Sequence, residues 1–281
     1  MKLSVAISDY LQARTVDGFA ETTLEAYRLQ FSLLLRAIGD QELDAVTTVQ
    51  LRDYLSTLGH LKPASLSHRI RALHALWNWL VDEEYTVHNP TRKIRERLES
   101  VRVPKALSID ELEVLRDACQ SAREHALLEL FFATGARLAE VQRLNRRDIH
   151  PQTRSAIVLG KGNKEREVYW GAKATMWLDR YLAGRTDEDP ALFVTVRRPY
   201  RRAHRHTLYQ EIKRIAKRAG MADKVWPHVL RHTLATSLLN NGADLTIVQS
   251  VLGHQKPSTT LIYAHLSGKR RRQDYDRYFV Q

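Results

Sequence analysis

Between Trp226 and Leu266 the chain reads WPHVLRHTLATSLLNNGADLTIVQSVLGHQKPSTTLIYAHL, and four of its side chains can do chemistry: His228, Arg231, His254 and Tyr263. His228 and Arg231 are three residues apart, so a helix would put them on one face. Two imidazoles, a guanidinium and a phenol suit phosphoryl transfer better than core packing. The planar guanidinium matches phosphate oxygens. Imidazole moves protons near neutral pH, and a tyrosine can serve as a covalent nucleophile.

Three short helices are expected to carry these groups. Leu230, Leu234 and Leu238 recur every four residues, and Gly242 is a natural stop. Asp244 is placed to cap the next helix, whose apolar residues are Ile247, Val248, Val251 and Leu252. Gly253 ends it and leaves His254 at a helix terminus. Ser258 is the expected cap of a third helix, with Tyr263 one turn in. Upstream, Arg137 follows the apolar helix HALLELFFATG, which Gly135 ends, and Glu140 lies three residues on, where it can orient the guanidinium. SAIVL and REVYW read as strands joined by the turn GKGNKE, which holds Lys161 and its rival Lys164.

The order of these motifs resembles the tyrosine recombinases of the phage-integrase family. The likeness rests on ATGARLAEV at 133–141, LGKGNKER at 159–166, LF at 192–193, PHVLRH at 227–232, LGH at 252–254, and a tyrosine nine residues after His254. It spans about Leu107 to Leu266, and the Xer-type members look most similar. The resemblance implies the following roles. Tyr263 attacks a DNA phosphate to give a 3′-phosphotyrosyl link, Arg137 and Arg231 hold the non-bridging oxygens, and Lys161 protonates the leaving 5′ oxygen. His228 assists proton transfer from the tyrosine, His254 donates to the phosphate, and Glu140 supports Arg137. No metal and no other cofactor is required.

The fold class expected is mainly α with a small antiparallel β-sheet, in two domains. Residues 1–99 form a helical, SAM-like core-binding domain, 100–106 a linker, and 107–281 an α+β catalytic domain of the DNA breaking–rejoining type. In the first domain, Thr22 and Glu25, then Thr47 and Gln50, read as capping boxes. Pro63 suits the first turn of a long helix that Asn89-Pro90 breaks. Trp77 and Trp79 cannot share a face, so at least one meets a different partner or the surface. A third capping box, Ser108 to Glu111, opens the catalytic part, and ALFVTV at 191–196 reads as a third short strand.

The 281 residues carry a net charge of +12, which points to a polyanionic partner. The partner expected is double-stranded DNA with inverted-repeat half-sites. Candidate contacts are Arg197, Arg198, Arg201, Arg202 and Arg205 in the acid-free run RRPYRRAHRH, and Lys62, Ser65, His68, Arg69 and Arg71 in the helical domain. That run should be mobile unless an anion binds it. No apolar stretch nears the ~20 residues that span a bilayer, and MKLSVAISDYLQAR lacks a signal-peptide core. The single cysteine, Cys119, excludes an internal disulfide and a Cys-based zinc site. A cytoplasmic location follows. Each chain offers one nucleophile and recombination needs four cuts, so a tetramer on two DNA sites is expected. The tail after Gly268 is the candidate link between protomers, in trans or folded back in cis.

Three other readings compete. His228 and His232 have zinc-ligand spacing but lack the Glu of HExxH. Residues 234–253 resemble a helix-turn-helix, as in a non-catalytic DNA-binding protein. A type IB topoisomerase would share the chemistry.

Overall fold

The computed structural model describes residues 1–96, 106–160 and 164–253. The chain separates into two compact units, Met1–Arg102 and Val103–Gln281. Most of the expected linker lies outside the described residues.

The first unit packs four helices: α1 (Leu3–Val16), α2 (Glu21–Ile38), α3 (Thr48–Thr57) and α4 (Pro63–Asp82). Their apolar faces bury Leu3, Phe31, Leu34, Leu51, Leu76, Trp77 and Leu80 in one core. Thr47 and Gln50 form the expected reciprocal cap of α3, and Pro63 opens α4. Both tryptophans of α4 are buried. Trp79 lies edge-on to Tyr10 of α1, with ring centroids 5.5 Å apart.

Two boundaries differ from expectation. The Thr22–Glu25 box does not form, because α2 begins at Glu21 with Ala20 as its cap residue and no side-chain cap. Thr22 is already inside the first turn, where Glu21 favours the positive end of the helix dipole. Helix α4 ends at Asp82, well before Asn89-Pro90. There the amide of Tyr85 bonds the Leu80 carbonyl at 2.8 Å and that of Glu84 bonds Val81 at 3.1 Å. Glu84 has a φ of 60° in the position that glycine usually fills in this stop. Tyr85 packs on Trp79 at 5.2 Å, and that contact supports the strained residue.

The second unit is built around α6 (Ala122–Thr134), which is buried at Leu127, Leu128, Leu130 and Phe131. Against it pack α8 (Ala172–Ala183), α9 (Arg205–Arg218) and α10 (Pro227–Asn240). Helices α5 (Ile109–Asp117), α7 (Leu138–Arg143) and α11 (Leu245–Leu252) complete the described set. Ser108 and Glu111 cap α5 reciprocally, as expected. Asp244 is the cap residue of α11 but makes no side-chain bond to it.

The sheet is antiparallel, β1 (Ile149–His150), β2 (Ser155–Leu159) and β3 (Glu165–Tyr169) in that order. The hairpin strands match the expected runs, with β3 shifted by one residue. Its register pairs Ala156 with Val168 and Val158 with Arg166, which puts those four on one face. Ala156, Val158 and Val168 join the core, while Ile157 and Tyr169 face solvent. ALFVTV is not a strand. It makes only isolated bridges, Ala191 to Asn145 and Val194 to Arg202. Ala191, Leu192, Phe193 and Val194 are buried among the loops around them, while Val196 is exposed; the Leu192 amide bonds the Leu144 carbonyl, and the Ala203 amide bonds that of Phe193. The third strand is instead Ile149–His150.

Candidate active site

Gly135 ends α6 with a φ of +56° and turns the chain into α7. An added Cβ would sit 2.8 Å from a Leu252 methyl and 2.9 Å from a Leu234 methyl, so a side chain here would combine left-handed strain with a displacement of both leucines. Arg137 is then the cap residue of α7. Its backbone N–H donates to Glu140 Oε2 at 2.7 Å and its Nη1 to Glu140 Oε1 at 2.8 Å. Glu140 is buried. Burial alone would raise its pKa. The Arg137 backbone N–H, the Arg166 charge and the Arg137 side chain outweigh that and hold it below its ordinary value.

His228 and Arg231 lie in the first two turns of α10, which Pro227 opens. Arg231 is buried, with its side chain reaching both ends of the site: Nη1 donates to the Gly135 carbonyl at 2.5 Å and Nη2 to that of Leu252 at 2.6 Å. His228 is solvent-exposed yet crowded by protein around the ring. That crowding, and then the charges of Arg231 and Arg137, hold its pKa below the ordinary 6.5. The imidazole is therefore neutral at pH 7 and can accept a proton.

The C-terminus of α11 draws these groups together. Arg166 Nε donates to the Val251 carbonyl at 3.3 Å, Arg231 Nη2 to Leu252, and Arg137 Nη2 to Gly253 at 3.2 Å. Three guanidiniums thus cap three successive carbonyls at the end of one helix. Such carbonyls lack intrahelical partners and carry the negative end of the helix dipole, so cations are stable there. Glu140 is the carboxylate paired with two of these guanidiniums, and three cations against one anion leave the cluster positive. A phosphodiester is the ligand such forks match.

The structure brings Arg137, His228 and Arg231 to one place, together with Gly253, the residue before His254. His254, Tyr263 and Lys161 lie outside the described residues, as do the expected third helix and the tail after Gly268. Lys164, the rival of Lys161, is exposed at the hairpin end, where its carbonyl accepts the Gly160 amide at 2.8 Å. Arg166 was not foreseen. The signal was its place on the inward register of β3, two residues from the buried Val168, where a charged side chain needs a buried partner.

The HxxxH pair is split, with His228 exposed and His232 buried. Among the described residues no three His, Cys, Asp or Glu side chains are grouped to hold a metal ion. Burial pushes the Cys119 thiol up to about 12, so it is inert at neutral pH.

The outlying basic residues divide. Arg197, Arg198, Arg201 and Arg205 are exposed. Arg205 opens α9, and the loop that carries the other three is not free of internal restraint: the Thr195 hydroxyl accepts from the Arg201 amide at 3.2 Å and donates to the Arg197 and Pro199 carbonyls. Arg202 differs from its neighbours in this run. Its guanidinium is turned inward onto the carbonyls of Gln142 at 2.8 Å and Leu144 at 3.0 Å and onto Asn145 Oδ1 at 2.5 Å. In the first unit Lys62 and Arg71 are exposed, whereas Arg69 is half-buried and donates to Gln30 at 2.5 Å. Among the described residues no helix is long and apolar enough to cross a membrane.

Comparison with known proteins places this arrangement. Residues 105–270 match the model of the phage integrase family, and residues 8–84 that of the phage integrase N-terminal SAM-like domain. A relative from Ralstonia nicotianae named tyrosine recombinase XerD is 37% identical over 271 residues, covering 91% of this chain and 87% of its own. The crystal structure of the XerH site-specific recombinase bound to palindromic difH substrate, a post-cleavage complex, aligns with a TM-score of 0.75 at 24% identity. That alignment covers 91% of this chain and 79% of the other. A lambda integrase tetramer bound to a Holliday junction aligns at 0.76 with 19% identity, covering 92% and 78%. Both structures share the fold. The chain belongs to the phage integrase family and is a site-specific tyrosine recombinase.

Proposed function

We propose that the chain cleaves and rejoins duplex DNA through a 3′-phosphotyrosyl intermediate on Tyr263, with the residues around the α11 terminus as its catalytic machinery. The observation that carries this reading is the convergence of Arg137 and Arg231, from different helices, on the carbonyls of Leu252 and Gly253, immediately before His254. Arg137 and Arg231 hold the non-bridging oxygens and stabilise the extra charge of the pentacoordinate transition state. His228, neutral at pH 7, takes the Tyr263 proton as the phenol oxygen attacks phosphorus. His254 donates to a phosphate oxygen, and Lys161 protonates the departing 5′ oxygen. The phosphotyrosyl bond conserves the energy of the phosphodiester, so a 5′-hydroxyl from a second duplex reverses the step without a nucleotide.

The partners proposed are inverted-repeat half-sites and three further copies of the chain on two duplexes. The XerH and lambda integrase complexes, with palindromic DNA and as a tetramer on a junction, support that assembly. The domain division at residues 99 and 107 and a cytoplasmic site of action belong to the same reading.

The test is a nicked suicide duplex bearing the site that the wild-type chain selects from a random-sequence pool. A covalent protein–DNA adduct should accumulate on a denaturing gel, undiminished in excess EDTA. Abolition by EDTA, with recovery on adding zinc or magnesium, would replace this mechanism with a metal-dependent one.

A further inference from the structure

Arg166 is placed to govern Arg137. Its side chain is 12% exposed on the inward face of β3, and both terminal nitrogens lie 3.0 Å from Glu140 Oε2. That same oxygen accepts the Arg137 backbone N–H, and the other takes Arg137 Nη1. The stem of Arg166 passes against Gly253, where a Cβ would lie 2.5 Å from its Cδ and 2.9 Å from its Nε. From there Nε reaches the Val251 carbonyl. Gly160, at the other side of the hairpin, also rests on this carboxylate: a Cβ there would lie 3.6 Å from Glu140 Oε1.

We propose that Arg166 is a positioning residue for phosphoryl transfer, which shares the Glu140 carboxylate with Arg137 and so keeps the Arg137 guanidinium available to the scissile phosphate. The physical reason is competition. A buried carboxylate must be neutralised by the cations in reach. With Arg166 present, Oε2 is held by the Arg166 guanidinium and the Arg137 backbone N–H, which leaves the Arg137 guanidinium only Oε1. Without it, Arg137 is the remaining guanidinium paired with Glu140, and the bidentate clasp that a guanidinium prefers would draw it toward the carboxylate and away from a ligand. Loss of Arg166 also releases the Val251 carbonyl, and with it one of three restraints on the helix end that leads into His254. Arg166 itself touches no reacting atom. Lysine would preserve the charge but not the fork, which bonds Glu140 and Val251 together.

The inference rests on the reading that Arg137 holds the phosphate, and the experiment separates the two. Full-length wild-type, Arg137→Ala, Arg166→Gln and Arg166→Lys proteins are compared on the selected site. Single-turnover release of the 5′-hydroxyl strand, half-site affinity and melting temperature are measured for each. A second substrate carries a methylphosphonate at the scissile position, which removes the charge that Arg137 would neutralise. On phosphate, Arg166→Gln should slow cleavage by on the order of 10- to 100-fold, as expected for a misplacement of about 1 Å. Half-site affinity should be nearly unchanged, and Arg166→Lys should fall in between. On methylphosphonate, the deficits of Arg137→Ala and Arg166→Gln should shrink together. If Arg137→Ala recovers on methylphosphonate and Arg166→Gln does not, Arg166 only holds the hairpin in place and the inference fails. If Arg137→Ala does not recover, Arg137 is no phosphate ligand, and both readings fall. Should Arg166→Gln melt before it can be assayed, Arg166→Lys carries the same comparison.

Discussion

Arginine does two different jobs within the second unit. At the end of α11, Arg137, Arg166 and Arg231 each anchor two guanidinium nitrogens on acceptors the fold supplies: helix carbonyls, the Gly135 carbonyl and the buried Glu140. In the loop before α9 and at its first residue, Arg197, Arg198, Arg201 and Arg205 present their side chains to solvent. The first group is fixed before any DNA arrives, so the cost of ordering it is met in folding rather than in the reaction. The second group keeps its freedom and offers charge without geometry, which suits contacts that follow the backbone rather than read the bases. Arg202 lies by sequence in the second group and by bonding in the first.

The sharpest way to break this contrast is to remove the fixed guanidiniums. Arg137→Ala or Arg231→Ala should slow cleavage by on the order of 10²–10³-fold, the scale of a lost transition-state donor. Half-site binding should survive in Arg137→Ala, whose guanidinium is partly exposed. An equal loss of binding and rate would mean that these arginines only attract the duplex, as the loop does. Next in size is the turn that aims Arg137. Gly135→Ala should cost about 2–4 kcal/mol, summing left-handed strain and overpacking against Leu234 and Leu252. Thermal or urea unfolding measures it, and an unchanged midpoint would show that the turn adapts. The smallest effects test the loop. Arg201→Ala should flatten the log–log salt dependence of binding by up to ~0.9 and leave stability alone. Arg202→Ala should do the reverse, with no change in slope and a loss of about 1–3 kcal/mol from the carbonyls and amide left unpaired. Identical behaviour of the two would erase the distinction.

Local rules made much of this architecture readable. The caps at Thr47 and Ser108, the stop at Gly135 and the β2–β3 hairpin each depend on a few neighbouring residues, and the motif order pointed to the family. The one-face placement of His228 and Arg231 needed only helical spacing. What escaped depends on contacts distant in sequence. Helix α4 ends at Asp82 and turns through a left-handed Glu84 with Tyr85 packed on Trp79, a stop that no breaker residue announces. ALFVTV is apolar and alternating enough to pass for a strand, but Leu144 and Ala203 supply its backbone partners one bond at a time. The inward turn of Arg202 needs the carbonyls of Gln142 and Leu144, nearly sixty residues upstream. Arg166 acquires its place only when Glu140 and Val251 meet it, 26 and 85 residues away.

The most direct measurement identifies the atom that joins the DNA. Adduct from the suicide duplex is digested with trypsin and nuclease, and the peptide carrying the nucleotide remnant is sequenced by mass spectrometry. The remnant should map to Tyr263, and Tyr263→Phe should abolish the adduct while half-site binding persists. A remnant on Tyr275 or Tyr278, or an adduct that survives Tyr263→Phe, would contradict the nucleophile on which the whole assignment turns.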